Sequence, residues 1–480
     1  MDRFDPCTGE RSKQCLSVAE HGPAGMRVHC LTRSERELKE TAVASTVRNL
    51  DPVIHPFERA REYKRALNAA KIERVLARPL VSAHEGHADG IYSLVTHPRR
   101  LADVATASGD GEVRVWRLSQ RTAGSGESLV RSRSGHTQLV CGLAATCDGR
   151  FLLSASQGDS VSSVVQLWRW PVGPLTGTWT PVGSYRRLSG GFGDVTASPQ
   201  QATVFATGAE DGWLEIWDYH RSEPLLRVWS HEQMSASVNC LRYHPSEAML
   251  LAACLTSRDI ALYDTRQQSA LARHRLPMRC NDAAWNPMEP FQLAVACDDH
   301  DAYLFDIRRL DRVRQVYRGH VGPVLCVSYA PTGHELCTGS YDGTVRIFDR
   351  REGASRDIYH TKRMQHVFRV QYTGDARFIL SASDDGDLRV WKSSAADPLR
   401  QLLVREKRSL QYARKLRERH RYLPQVRRVL QSRFLPRRLH SAAQQKREEV
   451  ASRRRKEAQR QRQGAPTKLH ARANASGALQ

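Results

Sequence analysis

The chain is 480 residues long and carries 73 Lys/Arg against 51 Asp/Glu, a formal net charge of +22. The excess is concentrated: residues 393–480 hold 24 Lys/Arg and 6 Asp/Glu, which leaves 49 against 45 for residues 1–392. No run of 18 apolar residues occurs, the N-terminus lacks the apolar core of a secretion signal, and the 11 cysteines are odd in number with no C-x-x-C pair, so a secreted, membrane-spanning or disulfide-stapled protein is not expected.

In chain order, residues 1–50 are polar and mixed and read as a disordered extension. Residues 51–72 form a lead-in segment. It starts with Pro52 and Pro56 and then predicts a short helix over Glu58 to Ala70, with Tyr63, Leu67 and Ala70 on one face. Glu73 to Ala83 is expected to supply the outer strand of the last unit of the repeat that follows, and Pro79 suits an edge position. Pro398 to Val404 competes for the same slot.

Residues 73–392 carry a fragment that occurs seven times. Its clearest copies are Ser108-Gly-Asp-Gly-Glu-Val-Arg-Val-Trp116, the stretch Gly208–Asp218, the stretch Gly339–Asp349 and the stretch Ser381–Trp391. The copies close on Trp116, Trp168, Trp217, Tyr263, Phe305, Phe348 and Trp391, spaced by 52, 49, 46, 42, 43 and 43 residues. The longer gaps carry insertions such as Trp170 to Gly183. Apolar strand-length runs flank a turn in each unit, Asp-Gly in the four clearest copies, which is the hairpin signal. Units of about 40–45 residues, each unable to bury its own face, stack around an axis. The expected fold is all-β, a seven-bladed WD-repeat β-propeller, followed by a mostly helical, basic C-terminal extension. Cys240, Cys326 and Cys337 sit among apolar strand residues and read as small core residues.

Asp110, Asp211, Asp299, Asp342 and Asp385 stand six residues before the closing aromatic, whereas units two and four have Ser162 (with Asp159 earlier) and Ser257. Gly-His pairs at His87, His136 and His320 open three units, and Ser230-His231 is a degraded fourth. This resembles the WD-repeat pattern, in which the His, the turn Asp and the strand Trp share one hydrogen-bonded network. A motif repeated around a ring is fold chemistry, so these residues are read as structural blade turns rather than catalytic groups.

Residues 393–463 are expected to form a basic helical domain, divided by Pro424 and Pro436 into three pieces, with 464–480 as a disordered tail. The first piece, Leu402 to Tyr422, has Leu410, Ala413 and Leu416 at helical spacing and is expected to dock on the propeller. The last, Ser441 to Gln463, has almost no apolar stripe and includes Arg453-Arg-Arg-Lys456. A solvated helix is the plainer reading. A nuclear import signal is compatible with either, and polyphosphate binding fits the charge best. The candidate RNA-binding residues are Arg405, Lys407, Arg408, Arg414, Lys415, Arg417, Arg427, Arg428, Arg433, Arg437, Arg438, Arg453, Arg454, Arg455 and Lys456. Tyr412, Tyr422 and Phe434 are the tail's few aromatics, which argues for backbone contact over base reading.

The flanks resemble one family. Asp51 to Pro79, Trp285-Asn-Pro-Met-Glu-Pro-Phe291, Tyr359-His-Thr-Lys-Arg-Met-Gln-His-Val367, and the set Arg405, Glu406, Lys407, Tyr412, Lys415, Leu416, Glu418, Pro424, Arg428, Leu435 and Pro436 are together similar to the Sof-type WD-repeat proteins. The resemblance covers roughly residues 51–460. It implies a nucleolar component of the small-subunit processome, partnered by pre-rRNA, the small nucleolar ribonucleoprotein and other processome proteins.

Three strand ends carry an aromatic-Asp-x-Arg run, with Asp264 and Arg266, Asp306 and Arg308, and Asp349 and Arg351. In WD-repeat proteins this resembles the signature of cullin-RING ligase substrate receptors, with which some animal Sof-type members are grouped. The alternative is an ion pair within the strand end. Asp298-Asp-His-Asp301 is the densest potential metal cluster but falls on a hairpin turn facing water. No P-loop, G-x-S-x-G or H-E-x-x-H motif occurs. Neither an enzyme, a cofactor, a metal nor a membrane partner is expected.

Overall fold

The apolar runs fold into strands because each is strand-length and bounded by turn formers. The structure, a computed structural model, describes residues 53–462 except 55, 119–128, 132–134, 159–162, 172–178, 188–189, 230–235, 268, 401 and 433–434. The two expected disordered ends, and Asp159, Ser162, His231, Arg433 and Phe434, lie outside the described residues. The described residues form seven antiparallel four-stranded sheets, the blades. Their inner strands are Ile91–Thr96, Val140–Ala145, Phe192–Ala197, Val238–Tyr243, Cys280–Trp285, Val324–Tyr329 and Val367–Tyr372.

The ring closes as expected in kind and differently in extent. Leu80–His84 pairs with Leu388–Lys392 as the outer strand of blade 7, and Lys392 N–H donates to the Pro79 carbonyl at 2.8 Å. The first four residues of the expected strand, Glu73 to Leu76, are helix instead: α1 runs Glu58–Leu76, past the expected end at Ala70. Nothing in Lys71 to Leu76 breaks a helix; the break comes where Pro79 restricts Arg78 to extended backbone. Ala66 and Ala70 are the fully buried positions of α1, with Tyr63 and Leu67 partly buried beside them. The competing segment does not close the ring, because Val404 opens a helix.

All seven closing aromatics are buried. The network that holds them differs from the expected one. Trp116 Nε1–H donates to Thr106 Oγ1 at 2.7 Å, and His87 Nε2 lies 2.7 Å from the same oxygen. Blade 2 repeats this with Trp168, Ser154 and His136 at 2.8 and 2.6 Å. Trp217 donates to Thr207 at 2.9 Å and Trp391 to Ser381 at 2.8 Å. An indole only donates, so the hydroxyl accepts from Trp and donates its own proton to His Nε2. A Ser or Thr of the second strand is thus the hub.

The five turn Asp residues share a position but not a partner. Asp342 alone bonds a loop histidine, His320 Nδ1, at 3.1 Å. Asp110 accepts Ala88 N–H, Asp211 takes Arg187 at 3.3 Å, Asp299 takes Tyr303 Oη, and Asp385 takes Arg389. The residue after the turn Asp is left-handed in each: Gly111, Gly212, Gly343 and Gly386 have φ of 82°, 88°, 72° and 76°, while His300 holds 73° without glycine. In blade 2 the Trp170 to Gly183 insertion returns Trp179 to pack on Trp168, ring centroids 4.8 Å apart.

Every inner strand carries a β-bulge at the same place, just before Ser93, Gly142, Asp194, Cys240, Asp282, Cys326 and Arg369. A bulge re-aims the residue beside it. Three of these residues, Asp194, Asp282 and Arg369, join Arg242 in one chain of ion pairs between the inner strands. Arg242 reaches Asp194 at 2.6 Å and Asp282 at 3.0 Å, and Arg369 reaches Asp282 at 3.0 Å. Cys240, Cys326 and Cys337 are buried, as expected of small core residues.

Among the described residues three helices follow the propeller: α2 (Val404–Arg419), α3 (Pro424–Gln431) and α4 (Arg437–Arg462). Their breaks fall at the two prolines. Glu406 turns back to accept Leu403 N–H at 3.2 Å and so caps α2.

Candidate nucleic-acid interface

The first tail helix docks on α1, not on the propeller sheet. Leu416 of α2 and Val426 of α3 are buried, and both helices pack against α1. Leu410, expected on the docking face, is 48% exposed. The contact is also ionic: Arg417 pairs with Glu73, and Arg419 with Glu62 at 3.3 Å. Arg74 of α1 ties the helices to the ring. One guanidinium nitrogen meets Asp357 in the outer strand of blade 6 at 3.2 Å, and the other donates to the Leu430 carbonyl of α3 at 2.6 Å. Arg421 reaches Glu352 at 3.3 Å on the same side. The lead-in segment and the tail are therefore one helical unit clamped to blade 6.

This packing sorts the candidate RNA-binding residues. Arg405, Lys407, Arg408, Lys415, Arg427, Arg428, Arg437, Arg438, Arg453, Arg454, Arg455 and Lys456 are exposed. Arg414 is exposed but paired to Glu418 at 3.1 Å. Arg417 is a correction: it is turned inward onto Glu73, and burial lowers its pKa. The basic residues stand on three helices, and α4 is the one with no fully buried residue, its inner side being the half-buried Leu439, Ala442, Ala443 and Lys446. Its 26 residues span about 39 Å. Four consecutive residues spread over about 300° of a helix, so Arg453 to Lys456 surround it.

Lys446 makes a polar contact between α4 and the ring. Lys446 Nζ donates to the His320 carbonyl at 2.8 Å and lies 4.0 Å from Asp301, which Arg318 also approaches at 3.5 Å. Burial lowers the Lys446 pKa and raises that of Asp301, each charge partly offsetting the other. Asp298-Asp-His-Asp301 is thus committed to protein partners. Asp298 accepts Asn281 at 2.7 Å, Asp299 accepts Tyr303, and Asp301 faces the two cations.

The Asp-x-Arg ends divide. Arg266 meets Asp264 at 3.3 Å and Arg308 meets Asp306 at 2.9 Å, with 73% and 66% of the arginine side chains exposed. The Arg308 hydrogen bond holds the Asp306 pKa below the usual carboxylate range. Arg308 also lies 4.2 Å over the Phe291 ring, so the Trp285–Phe291 motif supports it. At Asp349 it is the backbone N–H of Arg351 that reaches the carboxylate, at 3.1 Å. Two of the three ends present a fork fixed by its own aspartate.

Lys446, Arg74 and Arg318 escaped sequence reasoning, and so did the Ser/Thr hubs. The hubs had a signal: Thr106, Thr207, Thr338 and Ser381 all stand ten residues before the closing aromatic. Lys446 had none, being one cation among many.

Comparison with known proteins is consistent with this geometry. The profile described as "Sof1-like domain" matches residues 393–475, and "WD domain, G-beta repeat" matches 78–117, 127–169, 311–349 and 359–392. The chain is 36% identical to "Protein SOF1" of Saccharomyces cerevisiae, over 91% of each chain. It is 36% identical to "DDB1- and CUL4-associated factor 13" of Danio rerio, over 90% of this chain and 94% of the relative. The Dictyostelium discoideum protein of the same name is 38% identical, over 86% and 89%. Among solved structures, the WD40 β-propeller domain of Doa1 aligns at a TM-score of 0.53 and 17% identity, covering 65% of this chain and 96% of that one, which speaks to fold alone.

Proposed function

The chain belongs to the Sof1-like WD-repeat family, and from that premise we propose that it is a non-catalytic assembly factor of the small ribosomal subunit. In this reading it acts in the nucleolus as part of the small-subunit processome and supports pre-rRNA processing. The ring offers rims and faces to processome proteins, and the basic helices contact pre-rRNA and the small nucleolar ribonucleoprotein. The observation that carries the reading is α4, a 26-residue helix with no fully buried residue, in polar contact with the ring through Lys446 and surrounded by arginine. Such a helix gains most from releasing counterions off a polyphosphate. Guanidinium groups favour bidentate contact with phosphate oxygens.

Truncation after Pro436 tests this, because α1, α2 and α3 keep their packing. The shortened protein is expected to leave pre-ribosomal particles at moderate salt. Its affinity for precursor rRNA transcripts should fall at least about tenfold, and its salt dependence should flatten by about 0.7 for each phosphate it no longer neutralises. Unchanged co-sedimentation would count against the reading.

A second reading is supported by the exposed forks of blades 4 and 5 and by relatives named as DDB1- and CUL4-associated. As a cullin-RING substrate receptor the chain would present Arg266 and Arg308 to the adaptor. Recovery of DDB1 with the intact protein, abolished by joint Arg266→Ala and Arg308→Ala substitution, is the expected result. Failure to recover DDB1 with the unsubstituted protein removes this role.

A further inference from the structure

The outer strand of blade 5, Arg309–Tyr317, has nine residues, and its neighbourhood is unlike that of any other described outer strand. From Arg308 to Arg318 it holds Arg308, Arg309, Arg312, Arg314 and Arg318 against the single acid Asp311. Within its own bounds the strand has three arginines, and the other outer strands carry at most two each within theirs. Arg308 is fixed by Asp306 and Arg318 by Asp301. Arg309, Arg312 and Arg314 between them are exposed, and none forms a salt bridge among the described residues. Charges on an edge strand commonly block pairing with another sheet. That task needs one or two charges of either sign; it does not call for five of one sign.

The position of this strand gives the row its meaning. Its C-terminal end arrives at Arg318, which shares Asp301 with Lys446 of α4. The edge of blade 5 and the basic helix therefore meet at one carboxylate. We infer that the outer edge of blade 5 is a second phosphate-binding surface, continuous with α4, so that one RNA strand can run along the ring's rim and onto the helix. The inference rests on the RNA-binding reading above and adds a surface to it. A nine-residue strand extends about 30 Å. Its register shifts on either side of Val313, and Asp311 to Arg314 are four consecutive exposed residues, so Arg312 and Arg314 both reach solvent. Guanidinium forks bind phosphate bidentately, and no exposed aromatic stands among the three, so the contact is to backbone and not to bases.

The experiment uses the full chain and a labelled 30-nucleotide oligouridine, with affinity measured across a salt series. The variants are Arg309→Ala/Arg312→Ala/Arg314→Ala, its Lys-substituted counterpart, and Arg453→Ala/Arg454→Ala/Arg455→Ala/Lys456→Ala. The rim triple is expected to flatten the log–log salt slope by about 2, from three phosphates at about 0.7 each, with the thermal midpoint unchanged. The lysine counterpart should retain most of the slope. If the helix variant weakens binding while the rim triple binds with an unaltered slope, the rim inference is overturned and the helix reading stands. If the unsubstituted chain ignores the oligonucleotide even at low salt, both go.

Discussion

Replacing Asp282 with alanine is expected to destabilise the propeller by about 3–5 kcal/mol, the largest effect of any single substitution proposed for this ring. The carboxylate is almost wholly buried and is where four blades meet. It accepts from Arg242 of blade 4 and Arg369 of blade 7, each at 3.0 Å, and from Val327 N–H of blade 6 at 3.2 Å, while belonging itself to blade 5. Removing it takes the carboxylate from Arg369, leaves Arg242 with Asp194 alone and orphans the buried Val327 amide. The pair as a whole adds little net stability; the loss of one partner is what costs. Arg369→Ala should therefore be milder, because Asp282 keeps Arg242. Thermal unfolding is the measurement, with a drop of roughly 10 °C for Asp282→Ala. Equal shifts for the two variants would sink the account.

Acidification from pH 6.5 towards 4 is expected to remove stability through histidine, before the ordinary carboxylates titrate. Burial holds His136 at about 4, where it stays neutral and accepts the Ser154 hydroxyl proton. The unfolded chain binds that proton near the ordinary histidine value of 6.5. Between the two values the unfolded state carries more protons, so stability falls as pH falls, by up to about 1.4 kcal/mol per unit and on the order of 3 kcal/mol across the window. Burial pushes His84, His97, His244, His274 and His320 in the same direction. Asp301 and Asp387, raised by burial, work the other way in a window just above the usual carboxylate range. Comparing the pH profile of His136→Gln with the parent isolates the one histidine. The variant should be less stable at neutral pH and flatter below it; parallel profiles would refute the assignment.

Much of the fold was legible because its signals are local. Strand alternation, the Asp-Gly turn and the closing aromatic each act within a few residues and recur with a period, so blade number and turn position could be read directly. The same holds for the tail, where Pro424 and Pro436 end helices by their own covalent geometry. Misjudgements arose where a local signal was right and its partner was not local. Of Leu410, Ala413 and Leu416, Leu416 is buried and Ala413 half-buried where the helix packs on α1, while Leu410 is exposed. Asp211 and Asp385 do sit in blade turns, yet arginines occupy the place expected for histidine. The candidate interface was legible as a charge excess and illegible as a surface: Arg417 is spent on Glu73, whereas Arg312 and Arg314, diluted in a near-neutral ring, face water.

By itself the chain determined the wheel, its seven turns and the segregation of positive charge at one end, since these follow from periodicity and composition. Tertiary structure alone decided that α1 and the tail form one clamped unit, that Asp282 gathers four blades, and that the rim of blade 5 meets α4 at Asp301. The reason is that an ion pair between distant segments depends on which surfaces the completed ring brings together. That geometry exists only after the blades have closed.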